Sequence, residues 1–229
     1  VSGEGTQANG ASGRPRISAD GRFVAFWSEA TNLVPDDTNG VRDVFLHDRD
    51  ADGDGVFDEP EPMARSTTRV SVASSGAQAS GASAVPVASI VSGVPASAQL
   101  DLSPDGGWVA FRSEAADLVP GDTNAAADIF LHARTSGQTS RVSVAADGTE
   151  ANGASQSPSV SEGGRRVVFA SDASNLVPGD GNGVRDVFVF DRTLPAVLRL
   201  SEPSPGVDAD GPSDNPSIDD AGVRVAAQT

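Results

Sequence analysis

The chain has 229 residues, a formal net charge of −16 at pH 7 and no cysteine. The negative charge argues against nucleic acid and anionic membranes as partners, because both attract a positive protein face. The absence of cysteine excludes disulfides, thiolate metal sites and cysteine nucleophiles. No stretch approaches the roughly 18 apolar residues of a membrane span, so we expect no membrane insertion.

A repeat runs through the sequence. The segment SADGRFVAF at Ser18–Phe26 returns at Ser103–Phe111, at Ser161–Phe169 and, more weakly, at Asp219–Ala227. The later copies are 58 residues apart, and the first interval is longer because it contains two insertions. Repeats of this size cannot each bury a hydrophobic face alone, so function must lie on the surface that the stacked units form together.

Four short strand signals follow one another in each repeat. In the first repeat they are Pro15–Ser18, Arg22–Ser28, Asp43–Arg49 and Thr67–Val72. Valine, isoleucine and phenylalanine at these positions favour a pleated, buried surface, and glycine, proline, asparagine and aspartate mark the turns between them. No window sustains a helical period over three turns, so we expect almost no helix.

Radial stacking of four-stranded repeats is typical of a β-propeller. We therefore predict an all-β fold, a β-propeller of four-stranded antiparallel blades forming one domain over residues 1–229. Three blades are predicted to be complete, and partial elements lie at the ends. A closed ring needs strands that this sequence lacks, so we predict a segment of a larger propeller whose parent chain supplies further blades. The predicted blades cover residues 15–72, 100–144 and 157–201, with a partial blade at 216–229.

Two insertions interrupt the first repeat. The second insertion, about residues 84–98, is apolar and rich in small residues, and the sequence assigns it no role. The first, about residues 50–62, contains DADGDGVFDEPE at Asp50–Glu61 and matches an EF-hand-type calcium loop in its carboxylates, its turn glycine and its apolar eighth position. The predicted calcium ligands are Asp50, Asp52, Asp54, the carbonyl of Val56, Asp58 and Glu61.

Calcium takes six to eight hard oxygen ligands, which such a loop presents on alternate residues around a glycine bend. The alternative is an acidic hairpin tip without an ion. Pro60 and Pro62 discourage an exiting helix, so the sequence favours a structural calcium site over a paired sensor.

Each repeat also carries an Asp-x-Asn turn followed by an aspartate. In the first repeat these are Asp37, Asn39 and Asp43. They are either secondary cation ligands or structural turns in which Asp and Asn bond the local backbone, and we favour the turn because three such side chains are few for calcium. The equivalent residues are Asp122, Asn124, Asp128, Asp180, Asn182 and Asp186.

Other polar residues are predicted to be structural. The arginines Arg69, Arg141 and Arg199 are expected to begin the fourth strands and to pair with Asp48 or Asp191 across the hairpin. His47 and His132 share a position that Phe190 occupies in the third repeat, which indicates packing. The sequence contains no GxSxG element, so a serine hydrolase of the α/β type is unsupported.

The turn Ser103-Pro104-Asp105-Gly106 and the strand starts at Asp43, Asp128 and Asp186 resemble the PD40 (WD40-like) repeats of TolB-like β-propellers. The resemblance covers nearly the whole chain outside the insertions. It implies a propeller fold, and it is compatible with binding platforms, peptidase gates and a few lyases. The lyase-like members use histidine-rich metal centres, which this sequence lacks.

The sequence thus leads us to expect a non-enzymatic, calcium-stabilised propeller segment. It would act as a binding or scaffold module for a protein or glycan ligand in a secreted or periplasmic bacterial protein. The alternative is an accessory propeller domain of a larger peptidase-, hydrolase- or lyase-type enzyme whose catalytic part lies elsewhere.

Overall fold

A computed structural model describes residues 1–59, 64–84, 99–194, 196–202, 207 and 209–228. The described residues form strands joined by turns, with one short 3-10 helix at Glu162–Gly164. Among them, no helix is long and apolar enough to cross a membrane.

The strands form four antiparallel sheets, which we call blades 1 to 4. In blades 1 to 3 the strands pair in sequence order, so each blade is a meander of four strands. The all-β propeller fold predicted from the sequence is confirmed. The strands are β1 Ser12–Ile17, β2 Phe23–Ser28, β3 Asp43–Asp48 and β4 Ser66–Arg69 in blade 1; β5 Leu100–Leu102, β6 Trp108–Ser113, β7 Asp128–Ala133 and β8 Thr139–Arg141 in blade 2; β9 Ser155–Val160, β10 Arg166–Ser171, β11 Asp186–Asp191 and β12 Ala196–Arg199 in blade 3; β13 Asp214–Ile218 and β14 Val225–Gln228 in blade 4.

The hydrophobic core lies between successive blades. One apolar cluster joins blade 1 to blade 2, and a second joins blade 2 to blade 3. In each of these blades a phenylalanine of the second strand stacks on one of the third with ring centroids 5.8 Å apart. This repeated packing explains why both faces of the middle strands are apolar. The pairs are Phe26–Phe45, Phe111–Phe130 and Phe169–Phe188.

The first strand of each blade is irregular. Arg14, Ser157 and Asn215 have positive φ angles, and the strand register shifts beside each of them. A β-bulge of this kind lengthens one strand by an unpaired residue. As a result β1 begins at Ser12, three residues before the predicted start of the first strand at Pro15.

In blade 2 the second insertion enters at the position of this bulge. Ser83 bridges to Ser113, as Ser12 pairs with Ser28 in blade 1. The next residue, Ala84, has a φ of 53°, and the strand resumes beyond Gln99. The predicted insertion 84–98 therefore interrupts the first strand, and its residues 85–98 lie outside the described part of the chain.

The connectors between blades depend on close backbone contact. A Cβ atom at Gly10, Gly81 or Gly153 would lie 2.7 Å from main-chain atoms of the turn that follows the second strand of the adjoining blade. Real Cβ atoms do not approach backbone so closely, so glycine is required at these three positions. The equivalent Gly211 leads into blade 4 and has no atom within 4 Å of such a Cβ.

We expect Gly153→Ala to lower the free energy of unfolding by about 1–3 kcal/mol, because the backbone of two segments must separate. Gly211→Ala is the matched control and should change stability by less than about 0.5 kcal/mol. Chemical denaturation of the two variants measures both values. Equal stabilities would show that the close approach at Gly153 is readily relieved.

Candidate calcium loop and buried arginine networks

The acidic loop of blade 1 begins directly after β3. Asp50 is buried and Asp52 and Asp54 are exposed, yet one carboxylate oxygen of each lies within 4.8 Å of the others. Gly53 and Gly55 have φ angles of 76° and 90°, which are readily available only to glycine. These bends allow alternate aspartates to face a common point.

Backbone hydrogen bonds close the same turn. Gly55 N–H donates to Asp50 Oδ1 at 3.3 Å, and Val56 N–H donates to Asp54 Oδ1 at 2.8 Å. The nearest guanidinium to Asp50 is that of Arg22, at 3.9 Å from Oδ2. The three carboxylates thus face one another with little compensating positive charge.

The structure distributes the other predicted ligands differently. The carboxylate of Asp58 accepts hydrogen bonds from Arg49 Nε, the shorter at 2.9 Å, and this guanidinium lowers the pKa of Asp58. Val56 remains in the loop beside Asp54, and Glu61 lies outside the described residues. The carboxylates brought together are therefore Asp50, Asp52 and Asp54.

The chemistry of this donor set fits calcium. Three carboxylates offer hard oxygens, which Ca²⁺ prefers to nitrogen or sulfur ligands. A bound divalent cation would offset the repulsion between the three negative charges. Asp58 stays with Arg49, so the loop holds only part of the predicted EF-hand ligand set in one place.

The Asp-x-Asn turns build a buried network in every complete blade. In blade 1, Asp43 is fully buried, and its Oδ1 accepts a hydrogen bond from Ser71 Oγ at 2.6 Å. Its Oδ2 accepts hydrogen bonds from Asn39 Nδ2 at 2.9 Å and from Arg69 at 3.3 Å. The same guanidinium lies 3.0 Å from Asp37 Oδ1. One arginine therefore bridges the two aspartates of the turn.

Blade 2 repeats this arrangement. Asp128 accepts hydrogen bonds from Ser143 Oγ and from Asn124 Nδ2, the latter at 2.9 Å. Arg141 lies 3.1 Å from Asp122 and 3.4 Å from Asp128, and it also pairs with Glu150 at 2.8 Å. Three carboxylates thus share one guanidinium.

Blade 3 has the third copy. Asp186 accepts hydrogen bonds from Ser201 Oγ and from Asn182 Nδ2. Arg199 lies 3.1 Å from Asp180 and 3.8 Å from Asp186. The side chains of Arg199 and both aspartates are almost completely buried. The positive charge that faces the aspartates is therefore an arginine side chain in all three blades.

The predicted partners of these arginines were wrong. Arg69 lies opposite Phe45, whereas Asp48 lies opposite Ser66 at the other end of the hairpin. The fourth strands begin two or three residues before the arginine, so each arginine lies near the start of the third strand. Asp48 and Asp191 instead pair with arginines at the start of the second strands, Arg22 just before β2 and Arg166 at the first position of β10.

Burial sets the acidity of these groups. Removal from water, followed by repulsion from Asp128, raises the pKa of Asp122 to about 6. Hydrogen bonds from Thr123 and Arg141 lower the pKa of Glu150, which lies on the solvent side of the network. The network thus contains more negative charge than one arginine neutralises, and the carboxylate whose pKa rises as a result is that of Asp122.

We expect Asp128→Asn to destabilise the protein by about 2–3 kcal/mol. Both carboxylate oxygens of Asp128 accept hydrogen bonds, and in the variant an NH₂ group would replace one of these oxygens and face its donors. Asp122→Asn is the control within the same network. The raised pKa indicates that the charged form of Asp122 is disfavoured, so this variant should cost less stability than Asp128→Asn. Denaturation at pH 7 compares them, and a reversed order would contradict the assignment of roles.

The two histidines are packed within the blades. His132 Nδ1 lies 2.9 Å from Thr139 Oγ1, and His47 Nδ1 lies 2.8 Å from Thr67 Oγ1. Burial lowers the pKa of His132 to about 4. His132 is therefore neutral at physiological pH.

Between about pH 6.5 and 4, the unfolded chain binds a proton at His132 that the folded chain does not. Stability should consequently fall as the pH falls through this range. We expect His132→Phe, which copies the residue of blade 3, to remove about 1–3 kcal/mol of that dependence. Urea denaturation at several pH values tests this, and parallel curves for the two proteins would contradict it.

A cavity that sequence reasoning missed lies where the first strands of all four blades meet. It has a volume of about 440 Å³. Arg16 and Asp101 face each other at 3.3 Å beside it, and Asp101 accepts a hydrogen bond from Val160 N–H at 3.0 Å. Burial raises the pKa of Asp101. The available signal was that one repeat position, which is serine in blades 3 and 4, carries the charged residues Arg16 and Asp101 in blades 1 and 2.

Comparison with solved structures agrees with the fold. TolB from Acinetobacter baumannii matches 95% of this chain with a TM-score of 0.50 and 14% sequence identity. The β-propeller domain of the Trilobed protease from Pyrococcus furiosus matches 85% with a TM-score of 0.43 and 14% identity. The chain spans 37% and 45% of the lengths of these two structures. No protein-family model and no curated protein sequence matches it.

These observations define the class of the molecule. The described residues form consecutive antiparallel blades of a β-propeller, three with four strands and a fourth with two described strands. In its fold, the chain is a TolB-like propeller, as the repeats had indicated.

Proposed function

We propose that the chain is a non-enzymatic, calcium-stabilised propeller segment that acts as a binding or scaffold module of a secreted or periplasmic bacterial protein. The observation that carries the proposal is the convergence of Asp50, Asp52 and Asp54 in one glycine-bent loop. Loops of this type in extracellular modules bind calcium at about 10⁻⁴–10⁻³ M, which favours a compartment rich in calcium.

A scaffold role is supported by how the repeated polar residues are used. Asp43 accepts hydrogen bonds from both Arg69 and Ser71, and equivalent contacts recur in blade 2 and, with an ion pair in place of the arginine hydrogen bond, in blade 3. A catalytic centre needs unlike groups that converge on a substrate, whereas these networks are alike and face inward. They hold strands together.

The cavity at the first strands is the proposed ligand surface. It combines the ion pair of Arg16 and Asp101 with the serines Ser159 and Ser217 of blades 3 and 4. Concave sites with a few convergent polar groups are the usual form of ligand sites. A polar segment of a protein or a glycan is the proposed class of ligand.

Further blades are the proposed structural partners. Leu200 of blade 3 is 39% exposed, whereas the equivalent Val70 and Val142 are 1% and 0% exposed. The latter two are covered by the following blade, while blade 4 has two described strands. A third and fourth strand in blade 4 would cover Leu200 in the same way.

Calorimetric titration of calcium into chelator-stripped protein tests the proposal, together with thermal melts with and without the ion. We expect about one equivalent to bind and to raise the melting temperature. Asp54→Ala should weaken binding at least tenfold and leave the blades folded. Asp147→Asn removes one charge from an exposed turn and should leave binding unchanged.

Two results would contradict the proposed site. Absence of both heat and a shift in melting temperature would remove calcium from the proposal. Three or four equivalents would assign ions to Asp37, Asp122 and Asp180, where the structure places arginines.

A further inference from the structure

An aromatic side chain of blade 1 packs against an arginine and a glycine of blade 2, which together form a socket. Arg134 follows β7, and its Nε–H donates to Gly106 O at 3.0 Å. The guanidinium lies 4.2 Å from the centroid of the Phe23 ring, which comes from blade 1. A Cβ at Gly106 would come within 2.3 Å of that ring. The socket therefore accepts a flat ring only because residue 106 is glycine.

Blade 3 forms an equivalent socket for an aromatic side chain of blade 2. Arg192 Nε–H donates to Gly164 O at 3.1 Å, and the guanidinium lies 4.0 Å from the Trp108 ring. A Cβ at Gly164 would come within 2.4 Å of Trp108. Phe23 and Trp108 occupy the same repeat position, the start of the second strand. An aromatic residue there thus docks each blade into the next.

Blade 1 has the equivalent arginine–glycine socket. Arg49 follows β3, and its NH1 donates to Gly21 O at 2.8 Å. The ring against it comes from the insertion: the Arg49 guanidinium lies 4.9 Å from the centroid of Phe57. A Cβ at Gly21 would be 3.6 Å from Phe57. Phe57 thus contacts the same two groups that hold Phe23 and Trp108 in the other blades.

The loop holds Phe57 in this position through the neighbouring residue. Asp58 N–H donates to Arg49 O at 2.8 Å, and its carboxylate pairs with the Arg49 guanidinium. Asp58 has a φ of 62°, a left-handed conformation that turns the chain back onto Arg49. Phe57 remains 37% exposed, whereas Phe23 is 4% exposed, because a single loop covers less of the ring than two packed blades do.

We propose that Phe57 and Asp58 of the insertion cap blade 1: Phe57 occupies, within the same blade, the socket that an aromatic side chain of a neighbouring blade fills elsewhere. While Phe57 lies against Arg49, an aromatic side chain from another blade of this repeat cannot enter. The cap rests on the contact between Phe57 and Arg49 and does not require the calcium that we propose for the adjoining aspartates.

Nuclear magnetic resonance of the arginine Nε–H groups tests the cap, with the full chain kept in chelator. A ring beneath a guanidinium shifts the Nε–H resonance upfield. We expect this shift for Arg49, Arg134 and Arg192. Phe57→Leu should remove it at Arg49 alone, and Val56→Leu, the matched change at the adjacent exposed residue, should leave all three unchanged.

Thermal melts supply a second readout. Phe57→Ala should lower the melting temperature by about 2–4 °C, as expected for about 1 kcal/mol in a chain of this size, and Val56→Ala should not. An Arg49 resonance that is the same with and without the Phe57 ring would overturn the cap, as would equal melting temperatures for the two alanine variants. Because calcium is absent, a failed calcium titration would leave this result unaffected.

Discussion

A fully buried aspartate at the start of the third strand is the constraint on which each blade depends. Asp43, Asp128 and Asp186 have no exposed surface, and a carboxylate in that environment is tolerated only when its oxygens accept hydrogen bonds. In every complete blade the donors include the asparagine of the preceding turn and the serine two residues beyond the fourth strand, and in blades 1 and 2 the arginine that ends that strand also donates. The asparagine also donates to a carbonyl of the connector, at 3.0 Å for Asn39 and Ala79. The aspartate thus joins the turn to the outer strand, and the asparagine bonded to it joins both to the connector that leads to the next blade.

The two acidic features of the chain differ in how their charge is balanced. The repeated turns face a buried arginine, which supplies both the charge and the directed donors of a planar guanidinium. In the acidic loop, Asp50, Asp52 and Asp54 face one another, and Arg22 approaches only to 3.9 Å. Some of the carboxylates behind the net charge of −16 are therefore paired with buried arginines, whereas those of the acidic loop are available to a cation from solution.

The sequence determined the middle strands well, because their burial on both faces leaves a local pattern. The predicted Arg22–Ser28 and Asp43–Arg49 differ by one residue from the observed β2 and β3. The outer strands are short and polar, such as STTR at Ser66–Arg69, and carry no such pattern. A register error of three residues there led to the wrong partners for the arginines.

The site residues show the same division between local and long-range information. The glycine bends and the grouping of three aspartates followed from spacing within six residues. The placement of Phe57 could not be predicted from spacing. Its ring lies against Arg49, which precedes the acidic loop, and near Gly21, which belongs to the turn before β2. The cavity between the first strands likewise depends on residues of all four blades.

Native-state hydrogen exchange of three backbone amides tests the buried aspartate network most directly. The N–H groups of Val44, Ile129 and Val187 each donate to the serine hydroxyl of their blade's network at 3.0 Å. If the networks hold the blades together, these amides should exchange only through global unfolding, with the same opening free energy as the core amides of the second strands. Exchange through local opening, with much lower protection than those amides, would contradict the central role of the network.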